Sequence, residues 1–287
     1  MDVFTASDGA RIAYRDSGDA GGGGAGRAPL VLLHGLMAHS GFFRAQDPLS
    51  SDFRIIAIDL RGHGGSRAGN GAAPTVERMA ADVAELAQAL DLQGAIGVGW
   101  SLGATVLWHV LAGPASGRFA GAVVVDMTAR VKNDAEWDLG LTSEAVAARS
   151  IAIAQDYESF ALGAGQAIFA QPVAEAHRAL ADWAAAEFAK ADAAAMASVW
   201  QSLIRQDMRA LLAGIRHPTL IVHGAQSALY GEDNTDHLVA ALPDARAIRF
   251  EASGHAPHLE QSELFNATLK EFAEGLSLAR ANQTTDS

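Results

Sequence analysis

Short runs of consecutive apolar residues recur along the chain without alternating with polar ones. Leu30–Leu33, Ile55–Ile58, Ala95–Val98, Ala122–Val125 and Leu220–Val222 are such runs. Each stops at a polar or glycine position: His34-Gly35, Asp59, Gly99, Asp126 and His223-Gly224. A strand covered on both faces needs no polar face, so these runs predict strands of a parallel sheet. Helical spacing separates them. The clearest case is Thr75–Leu90, where Val76, Met79, Val83, Leu86 and Leu90 share one face and Thr75, after Pro74, is placed as an N-cap. Strands alternating with helices predict a doubly wound α/β sheet with right-handed crossovers. Ahead of it, Val3–Ser7 and Arg11–Asp16 flank Asp8-Gly9 and read as a hairpin, and Arg246–Glu251 is a last strand-like segment.

The alternation stops between about Thr128 and Gly214, where the chain is Ala-rich and helical with no strand-like run. Ligands of open α/β sheets bind at the carboxyl ends of the strands, so this insertion is expected to form a helical lid over a site there. The predicted division is a core of residues 1–127 and 215–275, a helical cap of 128–214 and a frayed, flexible tail of 276–287. Gly18–Gly26 contains six glycines. A phosphate-binding loop opens a helix, whereas Pro29 and a new strand follow here, so this stretch reads as a flexible surface loop.

Composition narrows the function. A net charge of −12 repels phosphate backbones and anionic lipid, which argues against nucleic-acid and membrane partners. The absence of cysteine excludes disulfides, Cys-based zinc sites and a thiol nucleophile. Met1–Thr5 lacks a signal-peptide pattern and no apolar run is long enough for a bilayer, so the expected location is the cytoplasm.

Gly99-Trp100-Ser101-Leu102-Gly103 follows a predicted strand and opens a predicted helix. A serine on such a turn holds its Oγ outward in strained backbone, and only tiny neighbours let strand and helix approach. The helix N-terminus adds partial positive charge, and the Leu102 amide is placed to meet a developing oxyanion. These residues, with His34-Gly35, Asp59-Leu60-Arg61-Gly62-His63-Gly64-Gly65-Ser66 and Ser253-Gly254-His255-Ala256-Pro257 in that order, resemble the α/β-hydrolase superfamily over residues 1–275. The resemblance implies a mostly parallel eight-stranded sheet and a cap-bearing serine hydrolase of the esterase or lactonase kind.

Ser101 is then the nucleophile and His255 the base, carried back toward it by a flexible loop, Ala252-Ser253-Gly254. His258 is the nearest rival and is read as shaping the pocket at the start of the last helix. The resemblance makes the Leu36 amide the second oxyanion donor. His34, His63 and Asp59 are read as bracing their turns. The acid departs from the pattern. Family members often carry it three residues after the His-Gly that ends the penultimate strand, and that position here is Ser227. Asp126, at the end of the preceding strand, is the preferred replacement because a strand end is rigidly held. Asp233 and Glu232 are the alternatives, and a Ser-His dyad with water is the third possibility.

Trp137, Phe160, Phe169, Trp183 and Trp200 of the insertion, with Phe42, Phe43 and Trp100, suggest an apolar cavity, and Phe42, Trp100, Trp183 and Trp200 are the expected substrate contacts. No arginine cluster awaits a phosphate or a second carboxylate. The expected reaction is hydrolysis of a small, largely apolar carboxylic ester or lactone through an acyl-enzyme, with no cofactor or metal. The pentapeptide resembles that of some methyl-ester and acyl-homoserine lactone hydrolases without choosing between them. C–C bond hydrolysis, cofactor-free perhydrolysis and a non-catalytic ligand receptor on this scaffold are the competing readings. Haloalkane and epoxide hydrolases of this fold carry Asp where this chain has Ser101. A monomer or homodimer is the expected assembly.

Overall fold

The computed structural model of the protein describes residues 1–18, 28–69 and 73–285; from residue 19 on, the glycine-rich stretch lies outside the described residues. The strands are β1 (Asp2–Thr5), β2 (Arg11–Asp16), β3 (Leu30–Leu33), β4 (Ile55–Ile58), β5 (Ala95–Trp100), β6 (Phe119–Val125), β7 (Thr219–Gly224) and β8 (Ala245–Phe250). They form one sheet in the order β1-β2-β4-β3-β5-β6-β7-β8. β1 and β2 pair antiparallel with each other, β2 pairs antiparallel with β4, and every later pairing is parallel. The strands with unbroken apolar runs sit in the middle, where β3, β4, β5 and β7 are buried along their whole length. The edge strands β1 and β8 expose much of theirs, and their sequences mix polar with apolar residues accordingly.

Helices cover both faces. α1 (Val76–Ala89) starts where Thr75 accepts the Arg78 amide at 3.2 Å, and it buries Val76, Met79, Val83 and Leu86. α2 (Leu102–Ala112) packs on α1 and on β5. Five helices lie between β6 and β7: α3 (Ser143–Gln155), α4 (Tyr157–Ala167), α5 (Arg178–Ala189), α6 (Ala193–Leu203) and α7 (Arg209–Leu212). Their alanines have a packing role. A Cβ at Gly165 would stand 2.3 Å from the Ala185 Cα, so α4 and α5 meet backbone to backbone, with Ala161, Ala181 and Ala184 fully buried in the seam. The insertion is not helical from its start. Residues 128–141 form an irregular loop with isolated bridges Lys132–Leu141 and Asp134–Trp137.

α8 (Glu232–Ala241) packs on β7 and β8, followed by α9 (Pro257–Glu260) and α10 (Ser262–Thr285). The last helix therefore runs on past Leu276, where the sequence predicts a frayed tail. Leu269, Phe272 and Ala273 anchor it in the core. Among the described residues, no helix is long and apolar enough to cross a membrane.

The strand order fixes where chemistry can occur. β3 lies between β4 and β5, so the chain winds one way from β3 and the other way toward β5. The loops leaving the carboxyl ends of β3 and β5 diverge and open a crevice there. His34-Gly35-Leu36 leaves β3, and Ser101 follows β5.

Candidate active site

Ser101 holds the turn between β5 and α2 with φ 53° and ψ −120°, a conformation that L residues rarely adopt. Its neighbours explain why the turn tolerates nothing larger than glycine on either side. A Cβ at Gly99 would stand 2.6 Å from the Ala104 backbone, and one at Gly103 would stand 2.1 Å from the Leu33 carbonyl oxygen. The first turn of α2 is thereby drawn against β5 and the end of β3. The β3 loop also passes close, since a Cβ at Gly35 would be 3.4 Å from the Ser101 Cβ.

His255 Nδ1 lies 2.6 Å from Asp126 Oδ2. An ionised carboxylate only accepts hydrogen bonds, so Nδ1 carries the proton and Nε2 is left as the acceptor. Asp126 directly follows β6 with φ 45°, a left-handed conformation that aspartate tolerates better than most residues. The same Oδ2 accepts from Ser227 Oγ at 2.6 Å. Oδ1 lies 3.3 Å from His223 Nδ1 and 3.4 Å from the Gly224 amide. Burial works against the charge on this carboxyl, but the hydrogen bonds from His223, His255 and Ser227 outweigh it and hold it below the ordinary carboxylate range. Serine at the commonest acid position thus becomes a donor to the Asp126 carboxylate. Glu232 and Asp233 are exposed on α8, and Glu232 pairs with Arg249 at 2.9 Å.

The loop bearing His255 is pinned, contrary to the flexible loop that its Ala-Ser-Gly sequence predicts. Gln261 Oε1 accepts from the Ala252 amide at 3.0 Å and from Ser253 Oγ at 2.9 Å. Glu260 Oε1 accepts from the Gly254 amide at 2.7 Å, and its Oε2 accepts from the Ala170 amide at 2.8 Å. Trp100 Nε1 donates to the His255 carbonyl at 2.8 Å. Burial pushes the Glu260 carboxyl up to about 7 even though backbone amides pull it down. One buried carboxyl therefore ties the insertion to the histidine loop, and sequence reasoning misses it because the partners are backbone amides.

Ser101 and His255 line one cavity of about 390 Å³. Gly35 and Leu36 also line it, and Trp100, Phe160, Trp200 and Leu203 supply apolar wall. Phe160 and Trp200 come from the insertion, which therefore roofs the site. Phe42 and Trp183, both expected contacts, are not in the wall. Phe42 is fully buried and packs against Trp183 at 4.6 Å, Phe188 at 5.3 Å and Trp100 at 5.9 Å between ring centroids, so the pair supports the wall from behind. Phe43, Phe169 and Trp137 are likewise outside it; Trp137 lies under Arg209 and beside His237. A larger groove of about 670 Å³ lies beyond Met37, which borders both spaces, but it reaches neither Ser101 nor His255.

His34 and His258 behave as structure. His34 Nε2 accepts the Leu60 amide at 2.9 Å, and its Nδ1 donates to the Gly35 carbonyl at 2.8 Å, bracing the β3 loop. Burial, with His63 nearby, holds it neutral. Asp59 accepts the Ser40 and Gly65 amides at 2.7 Å each. His258 does not line the pocket. It is enclosed by Trp100 at 4.7 Å and Phe43 at 5.0 Å, and burial drives its pKa to about 3. Three polar or charged residues of the cavity wall escape the sequence reading: Arg149, Ser159 and Tyr230.

A profile of the Alpha/beta hydrolase family matches residues 30–268. The chain is 31% identical over 241 residues to a pimeloyl-(acyl-carrier protein) methyl ester esterase of Nitrosomonas europaea, covering 82% of this chain and 92% of that protein. An Edwardsiella ictaluri protein of the same name is 30% identical over 264 residues, covering 89% of this chain and 96% of its own length. Among solved structures, an esterase from Exiguobacterium antarcticum superposes with a TM-score of 0.85 at 25% identity, over 95% of this chain and 98% of that one.

Proposed function

The chain belongs to the alpha/beta hydrolase family, and from that premise we propose that it is a serine hydrolase cleaving a small, largely apolar carboxylic ester or lactone through an acyl-enzyme. The observation that carries this reading is the hydrogen bond of 2.6 Å between His255 Nδ1 and the buried Asp126, with His255 and the strained Ser101 facing the same cavity. The esterase names of the relatives point the same way.

In this reading Ser101 Oγ attacks the ester carbonyl while His255 Nε2 takes its proton. Asp126 holds the ring in the tautomer that can accept it and stabilises the imidazolium that results. The amides of Leu36 and Leu102 receive the oxyanion, and the dipole of α2 reinforces the second of them. His255 returns the proton to the departing alkoxide. Water then attacks the acyl-enzyme by the same route in reverse. Trp100, Phe160 and Trp200 exclude bulk water and favour an apolar acyl or alkyl group. The helical insertion acts as the cap.

A fluorophosphonate probe tests the proposal. Labelling of the wild type, lost in Ser101→Ala, is expected. A wild type that stays unlabelled would refute it and leave a ligand-binding role. A panel of p-nitrophenyl esters, lactones and ring-fission diketones then separates ester or lactone cleavage from C–C bond hydrolysis.

A further inference from the structure

On the cap side the cavity wall is apolar apart from Ser159 and Arg149, and Arg149 is the charged one of the two. Arg149 lies on α3, whose buried residues Val146 and Ile153 turn that helix toward the interior, and its side chain lines the same space as Ser101 and His255. Among the described residues it has no ion pair and no hydrogen bond. No Asp or Glu lines the cavity, and the buried Asp126 behind it is engaged by His255, Ser227 and His223. Tyr230, another polar residue of the wall, is the group whose charge acts on Arg149, and it stands 6.0 Å from His255 between ring centroids. Its hydroxyl has no hydrogen-bond partner among the described residues either. Burial disfavours the charged form of Arg149, and Tyr230 only partly offsets this.

A guanidinium stays charged at any working pH and presents a planar fork of donors. In a cavity whose wall includes Phe160, Ala164, Ile168 and Trp200, it has shed part of its hydration without gaining a counter-charge. An anion placed there recovers that cost, and a carboxylate fits the fork with two parallel hydrogen bonds. The sequence offers no arginine cluster for a second carboxylate, and the cavity holds this single arginine instead. The sequence gives no warning because a lone arginine among alanines looks like a solvated helix face.

We propose that Arg149, assisted by the Tyr230 hydroxyl, binds a free carboxylate on the substrate, so that the preferred substrate is a carboxylic ester or lactone bearing a second, unesterified carboxyl group. This rests on the hydrolase reading above and specifies its substrate class. The reaction is a half-ester plus water giving a dicarboxylate, an alcohol and one proton. Water supplies the oxygen that replaces the alkoxide, and no oxidant or reductant takes part. The cap then selects among substrates as well as covering the site, because the guanidinium comes from α3.

The test compares kcat/KM for methyl half-esters of linear dicarboxylic acids of graded length with the matching dimethyl diesters. Acetyl esters of hydroxy acids form a second arm that places the carboxylate on the alcohol side. The wild type is expected to favour the half-ester or the hydroxy-acid ester over its neutral counterpart by about 10- to 100-fold at the best length. Arg149→Met is expected to bring that ratio below about threefold through a higher KM, and Arg149→Lys to restore part of it. Fluorophosphonate labelling of Ser101 in each variant shows that the site is still assembled. Competitive inhibition of the wild type by the free dicarboxylate, tighter than by the monocarboxylate of equal length, gives a readout that needs no variant. A wild type that hydrolyses neutral esters at least as well as charged ones overturns this proposal and leaves the hydrolase reading standing. A wild type that cleaves no ester and takes no probe overturns both.

Discussion

Replacing Asp126 with asparagine tests the site at its least conventional point. The carboxylate receives donors on both oxygens: His255 Nδ1 and Ser227 Oγ at 2.6 Å each on Oδ2, and His223 Nδ1 and the Gly224 amide at 3.3 and 3.4 Å on Oδ1. An asparagine must turn its NH₂ toward one of these pairs. If it faces His255, the ring is forced into the tautomer that cannot accept the Ser101 proton. If it faces Gly224, it meets an amide hydrogen, and the negative charge is still lost. That charge, about 4 Å from the centre of an imidazolium, is worth about 4 kcal/mol at an effective dielectric of ~20. Adding about 1–2 kcal/mol for a disrupted charged hydrogen bond gives a total near 5–6 kcal/mol, or about 10⁴-fold in kcat. That is the size of loss found when a serine-protease triad aspartate is changed to asparagine. The assay is kcat on p-nitrophenyl acetate, with thermal melts to confirm an intact fold. Ser227→Asp added to Asp126→Asn is expected to recover about 10- to 100-fold, because position 227 already reaches the oxygen that meets His255. Retention of kcat within tenfold in Asp126→Asn would refute the assignment. A double variant no better than the single one would refute the claim that the two positions serve one place.

Two further predictions concern stability. Arg61 is fully buried with bidentate bonds to Asp8 and Asp82, joining the β1–β2 turn to α1, so Arg61→Ala should cost about 3 kcal/mol in urea unfolding because it strands two carboxylates; a loss below 1 kcal/mol would show that Arg78, which also reaches both, suffices. Glu260 titrates at about 7 when folded against an ordinary value of 4.5, so the native state keeps its proton longer than the unfolded chain does, and stability falls as pH rises between those values. Measured against Glu260→Gln, the wild type should lose about 2–3 kcal/mol between pH 5 and pH 8, whereas parallel pH curves would show that the carboxyl is not held protonated.

The fold was legible where burial is two-sided. β3, β4 and β5 lie under helices on both faces, so their sequences carry no polar alternation and end abruptly where the chain emerges. The elbow was legible because steric contact constrains it locally: Gly99 and Gly103 are dictated by atoms within a few residues or on the adjoining strand. Facing was not legible. Trp200 and Trp183 are both aromatics on Ala-rich helices, yet one walls the cavity and the other packs behind Phe42. Alanine fills either side of a helix, so little periodicity remains to orient its neighbours. Arg149 was hidden for the same reason, and Glu260 because its partners are amides of distant loops.

The acid lies between these extremes, and its ambiguity has a geometric origin. β6 and β7 are adjacent and parallel, with Val125 in register with Val222, so the loops after them leave the sheet side by side. Asp126 is the first residue past one strand, and Ser227 stands on the loop past the other. Their side chains meet at 2.6 Å although 101 positions separate them in the chain. A carboxylate rooted in either loop therefore arrives beneath the same nitrogen of His255. Sequence specifies a position in the chain, whereas the histidine requires an oxygen at a place in space. When the commonest position holds serine, the place remains occupied, its carboxylate supplied from β6 and its extra donor from the loop after β7.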